Sequence, residues 1–269
     1  MFKAFKLVFS TFNQNVLSQY YDCGKKLYEE GKTAIHKSLS KYMDPDGLLN
    51  GSKIEEDWFP QDECKFDVFL SHSHKDEKVM IALAGFLSQE LDLRCFIDSQ
   101  LWGYAGELQG LMDEACCRYD NKKHTWNYDD RNVSTSYVHN MLAVALSKMM
   151  DKTEAFFFAE THNSTIKAQA GQTLSPWIYT ELSIASILRS KPVREQQVML
   201  FESDGSLKTF CMKSQVKFTP PLDSLINLSW YDIVDWEGIY KRNLNNENYP
   251  HSLDVLYRLK NLYFKRSYE

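Results

Sequence analysis

The sequence predicts an α/β fold, a parallel sheet covered by helices on both faces. Three observations carry this. Short apolar runs of strand length occur at residues 66–70, 94–98, 153–159 and 197–201. The stretches between them repeat apolar residues at helical spacing. The two kinds of segment alternate, and β–α alternation builds a parallel sheet with helical crossovers.

Residues 1–60 read as a helical N-terminal extension. Leu17, Tyr20, Tyr21, Leu27, Ala34, Leu39 and Tyr42 recur at three- and four-residue steps, although Gly24 and Gly31 weaken the pattern. Asp44-Pro45-Asp46-Gly47 is a stop and turn signal, so the boundary falls near Pro60, with the main domain over 61–269. Residues 66–70 form the first strand. A helix follows over 76–91, with Val79, Leu83, Phe86, Leu87 and Leu91 on one face. The second strand is 94–98, and 98–106 reads as a loop with an aromatic residue and two glycines. A helix covers 107–117. The polar stretch 118–136 is read as a loop insertion, and helix resumes over 137–150. After the third strand, Ser175-Pro176 opens a helix, with Ser as N-cap and Pro at an early position. A fourth strand is expected at 197–201, a fifth at 228–234, and an amphipathic helix at 252–263.

Composition narrows the classes. Of 269 residues, 43% are hydrophobic and 25% charged, enough to build a core without disulfides. A net charge of -5 argues against general nucleic-acid binding, which needs clustered Lys and Arg. No apolar run reaches the roughly 18–20 residues of a membrane span, and no cleavage pattern follows the short apolar start. Six cysteines without CxxC or metal-ligand spacing fit a reducing, cytoplasmic setting.

In parallel sheets ligands bind at the carboxyl ends of the strands. The first strand runs into Ser71-His72-Ser73-His74-Lys75-Asp76, short polar residues where backbone N–H groups can face an anion. His72-x-His74 lacks a supporting Asp, Glu or Cys cluster, so no metal is expected. There is no GxGxxG and no GxxxxGK[ST]. The second strand leads to Asp98 and Trp102. The sharpest signal is Trp177-Ile178-Tyr179-Thr180-Glu181. Trp177 and Glu181 stand one helical turn apart, so an indole wall and a carboxylate share one face. That pair suits a ligand with an aromatic ring and developing positive charge.

These segments, in this order, resemble a known family. Residues 66–76 resemble the first strand and loop of TIR (Toll/interleukin-1 receptor) domains. Cys95-Phe96-Ile97-Asp98 is similar to their second strand, followed by the loop called BB, and residues 177–182 resemble their W-x-x-x-E-[LI] helix. The likeness runs from about residue 65 to the C-terminus. The insertion at 118–136 and the N-terminal extension depart from it. It implies a flavodoxin-like sheet of five parallel strands. It implies NAD+ as substrate rather than cofactor, cleaved between nicotinamide and ribose, with Glu181 catalytic. Trp177 would pack on a ring of the dinucleotide. Ser71 and His72 would line the phosphate or ribose side, Asp98 would also bind substrate, and Trp102 would close over the site. The product would be ADP-ribose or a cyclic or modified form of it, a signal in bacterial anti-phage defence of the Thoeris type, read by a separate effector. Homo-oligomers would form through residues 98–106. Two other classes fit the same residues: a non-catalytic TIR adaptor acting by self-association, and a nucleoside deoxyribosyltransferase-like enzyme.

Overall fold

The computed structural model describes residues 3–30, 39–59, 66–120, 125–166, 172–188, 218–244 and 251–262. Its centre is a five-stranded parallel sheet, in which the strands are β1 (Lys3–Val8), β2 (Val68–Ser71), β3 (Cys95–Ile97), β6 (Ala155–Glu160) and β7 (Ile226–Leu228), in the spatial order β3-β2-β6-β1-β7. The remaining two, β4 (Arg118–Asp120) and β5 (Thr125–Trp126), form a separate antiparallel pair. The helices are α1 (Gln14–Ser18), α2 (Tyr21–Glu30), α3 (Gly51–Trp58), α4 (Glu77–Leu91), α5 (Ser99–Cys116), α6 (Tyr128–Lys152), α7 (Pro176–Ile187), α8 (Trp230–Asn243) and α9 (Ser252–Leu259).

Side-chain alternation divides the core into two layers. Phe5, Leu7, Val68, Leu70, Ala155, Phe157 and Leu228 pack against α4, α8 and α9. Phe69, Phe96, Phe156 and Phe158 point the other way, onto α3, α5, α6 and α7. The middle strand, Ala-Phe-Phe-Phe-Ala-Glu, is apolar on both faces because helices cover both.

The first strand corrects the reading of residues 1–60 as a separate helical extension. β1 lies between β6 and β7 and pairs in parallel with both. Its lysines had hidden it. Phe5 and Leu7 alternate into one core layer, while Lys6 reaches Glu160 at 3.3 Å. The expected helices do follow, and they are welded on. The backbones of α2 and α4 approach so closely that a Cβ on Gly24 would stand 1.8 Å from the Ile81 carbonyl oxygen, and one on Gly85 2.2 Å from that of Tyr20. Tyr42, Ile54, Trp58 and Phe59 fill the opposite layer.

Three further expectations change. The segment 98–106, read as a loop, is the start of α5. In the polar stretch 118–136 the described residues form the antiparallel pair β4–β5 and the first turns of α6. That helix starts at Tyr128 because Asn127 caps it, accepting from the N–H groups of Asp129 and Asp130 at 3.0 and 3.3 Å. Within the fifth strand expected at 228–234 only Leu228 belongs to a strand, the end of β7. Ser229 and Asp232 form a capping box that starts α8. The fourth strand expected at 197–201 lies outside the described residues.

Candidate functional site

Chain connectivity makes a crevice where the strand order reverses. From β2 the chain crosses by α4 on one face to β3, then returns by α5 and α6 on the other face to β6. A cleft of about 260 Å³ opens above the carboxyl ends of β2 and β3. It is lined by His72, Ser73, His74, Asp98, Ser99, Trp102, Ser175, Trp177, Ile178 and Glu181.

Each wall has a local cause. β2 ends at Ser71, and the chain turns at once into α4. Asp76, at the start of that helix, accepts from Thr161 Oγ1 and Asn163 Nδ2, both at 2.6 Å, which ties this junction to the loop after β6. Asp98 follows β3 directly. Ser175 caps α7 by accepting from Ile178 N at 3.3 Å, with Pro176 in the first turn. The helix then presents Trp177 and Glu181 to the cleft one turn apart. Trp102 stands edge-on to Trp177, with ring centroids 4.5 Å apart at 87°, and His139 of α6 supports the same indole at 5.2 Å.

The polar floor is unusual for its burial. Ser71 Oγ donates to Glu181 Oε2 at 2.5 Å. Glu181 is only 1% exposed, and its Oε1 has no partner. Burial, reinforced by the charge of Asp98 and by hydrogen bonding between the two carboxyls, pushes its pKa well above the carboxylate range, against the opposing pull of the Ser71 hydrogen bond. His72 Nδ1 is 2.6 Å from Asp98 Oδ1, an ion-pair contact too far out of line for a well-formed hydrogen bond. The backbone N–H of His72 donates to Asp98 Oδ2 at 3.2 Å. Burial alone would depress the imidazole. The charge and bonding of Asp98, with smaller contributions from Glu77 and Asp76, outweigh it and leave the pKa raised. His72 Nε2 is buried without a partner.

All six residues singled out from the sequence, Ser71, His72, Asp98, Trp102, Trp177 and Glu181, meet at this cleft. Trp102 occupies the first turn of a helix rather than a loop. Sequence reading missed Ser99 and Ile178 on the lining and His139 behind Trp177. Ile178 was within reach, being the residue after Trp177 in a capped helix. His139 was not, since nothing in sequence links α6 to α7.

Among the described residues no cluster of three or more His, Cys, Asp or Glu side chains is placed to hold a metal ion, and no helix is long and apolar enough to cross a membrane. Comparisons with protein-family models, curated proteins and solved structures find no match to this chain. The function must be read from the cleft.

Proposed function

We propose that the chain is a TIR-like enzyme of the bacterial cytoplasm that cleaves NAD+ at the nicotinamide–ribose bond. The observation that carries this is Glu181, a buried carboxyl with one oxygen unpartnered, one helical turn from an indole in a cleft at the sheet's carboxyl edge. An interaction surface has no use for an unpartnered buried carboxyl, which is destabilising. A site for a cationic ring does. The cleft, about 260 Å³, is just below the range of about 300–1,000 Å³ usual for ligand pockets, room for one half of a dinucleotide.

In the empty cleft burial and the neighbouring Asp98 favour the protonated form of Glu181. A nicotinamide ring arriving beside it brings the positive charge that draws the proton off, so binding and activation of the carboxylate are linked. The C1′–N1 bond then breaks, and its electron pair returns to the ring nitrogen, releasing neutral nicotinamide. The ribose becomes oxocarbenium-like, and ionised Glu181, oriented by Ser71, stabilises the charge. Trp177, braced by Trp102, packs on the ring. Water captures the sugar to give ADP-ribose, and a hydroxyl or adenine nitrogen of the same molecule gives a cyclic product. Either serves as a signal for a downstream effector in anti-phage defence. Self-association along the exposed side of residues 98–106 would control access to the cleft.

The test is to incubate the protein with NAD+, dilute and concentrated, and identify products by mass. Wild type is expected to release nicotinamide, while Glu181→Gln and Glu181→Ala lose at least about 100-fold, the loss typical when one transition-state partner is removed. NAD+ left intact by wild type at every concentration overturns the reading.

A further inference from the structure

Glu181 can stabilise the sugar cation, but something must take the proton when a hydroxyl captures it. We propose that the His72–Asp98 pair is that base: His72 Nε2 accepts the proton of the incoming oxygen nucleophile, and Asp98 acts as a positioning residue that holds the imidazole.

The inference rests on the NAD+-cleaving reading and deepens it. Its geometry adds His72 to the carboxyls of Asp98 and Glu181, which face one another. His72 is 4% exposed and lines the cleft. Its Nδ1 side is occupied by Asp98 Oδ1 at 2.6 Å, and Asp98 is itself fixed because its other oxygen accepts from the His72 backbone at 3.2 Å. The Asp98 carboxylate thus lies against both the ring and the backbone N–H of His72. Only Nε2 is left for chemistry, and it is buried without a partner in the wall of a ligand-sized cleft. A purely structural histidine would normally have both ring nitrogens satisfied. The charged and titratable groups around it are Asp98 after β3, Glu181 on α7, Asp76 and Glu77 at the start of α4, and His74 on the same turn. Acidic groups therefore outnumber basic ones, which favours the imidazole gaining a proton once the reaction offers it.

The step balances. When water or a ribose hydroxyl attacks C1′, a C–O bond forms from the oxygen lone pair. The O–H bond breaks, its electrons stay on oxygen, and the proton moves to Nε2. Imidazolium then returns the proton to solvent as product leaves. Capture by a ring nitrogen differs. A pyridine base, or the adenine ring, attacks through a lone pair and has no proton to lose at that step.

That difference supplies the test. Wild type, His72→Gln, Asp98→Asn and Glu181→Gln are each given NAD+ with and without a free pyridine base. Hydrolysis and base exchange are followed separately by mass. His72→Gln should lose about 100-fold or more in hydrolysis, the usual contribution of general acid–base catalysis. Its base exchange should fall far less, so that the ratio of exchange to hydrolysis rises by about tenfold or more, because attack by a ring nitrogen has no proton to transfer. Glu181→Gln should lose both. In wild type the ratio of hydrolysis to exchange should climb with pH through the His72 pKa, above the ordinary histidine value of about 6.5. Asp98→Asn should move that midpoint down. Equal loss of both reactions in His72→Gln, or loss of neither, overturns the proposal, as does a flat ratio against pH. Absence of both reactions in wild type instead overturns the NAD+-cleaving reading. If His72→Gln does not fold, the wild-type ratio decides.

Discussion

At the scale of single residues, the site conflicts with stability. Glu181 is buried and binds its proton more tightly in the folded chain than in the unfolded one. Its contribution to stability is present below the unfolded carboxyl pKa of about 4.3 and is lost as pH rises through the higher folded value. A glutamine keeps the shape and never ionises. Glu181→Gln is therefore expected to melt higher than wild type, with a gap that widens as pH rises from 5 towards 8. Each kcal/mol of the gap appears as about 2–4 °C in a chain of this size. Scanning calorimetry across that range checks it, and a constant gap would contradict it. The residues of this conflict were legible in sequence because helical spacing alone puts Trp177 and Glu181 on one face. The partnership of Ser71 with Glu181 was not, since it spans 110 positions and depends on where α7 lands.

At the scale of elements, one crossing tests how the N-terminal helices are held. Helix propensity alone favours Ala over Gly by about 1 kcal/mol, so Gly24→Ala would be stabilising in an isolated α2. Packing decides the opposite sign. A methyl 1.8 Å from a backbone oxygen of α4 has no flexible neighbour to push aside. The expected loss is at least about 3 kcal/mol, the upper part of the range for overpacking, read as a fall in the urea midpoint. An unchanged midpoint would mean that α2 does not seat there. The same glycines had counted against a helix in sequence. They mark a close approach, which no single-segment pattern reveals. Starts of helices were misjudged for a related reason. Residues 128–136 have almost no apolar face, and only the Asn127 cap and acidic first turn announce them. Ser229-x-x-Asp232 did carry its signal, a capping box that outranks the β-like look of Trp-Tyr-Asp-Ile-Val.

For the whole molecule, the α/β class and the parallel sheet were readable from alternation, and the order of strands was not. The middle of the order follows from residues 66–160. The neighbour of β6 comes from the other end of the chain, a long-range pairing invisible to local pattern. This makes a direct prediction about the boundary drawn near Pro60. A chain of residues 61–269 lacks β1, α1, α2 and α3, leaving β7 without its β1 partner, one edge of β6 bare and both core layers open. It should fail to show a cooperative melt or dispersed amide resonances, and should aggregate through the bare edge of β6. A well-folded 61–269 fragment would refute this. The full chain, with residues 1–60 attached, is the form in which activity should be measured.

The placement of β1 also sets the timetable of synthesis. Lys3–Val8 leaves the ribosome about 150 residues ahead of its partner β6, and β7 follows later still. At about 5–20 residues per second, an apolar strand with unpaired edges waits roughly ten seconds or more for its slot. Folding cannot close from the N-terminus onward. It must finish by seating β1 between two strands made well after it, a non-local pairing of the kind that slows folding.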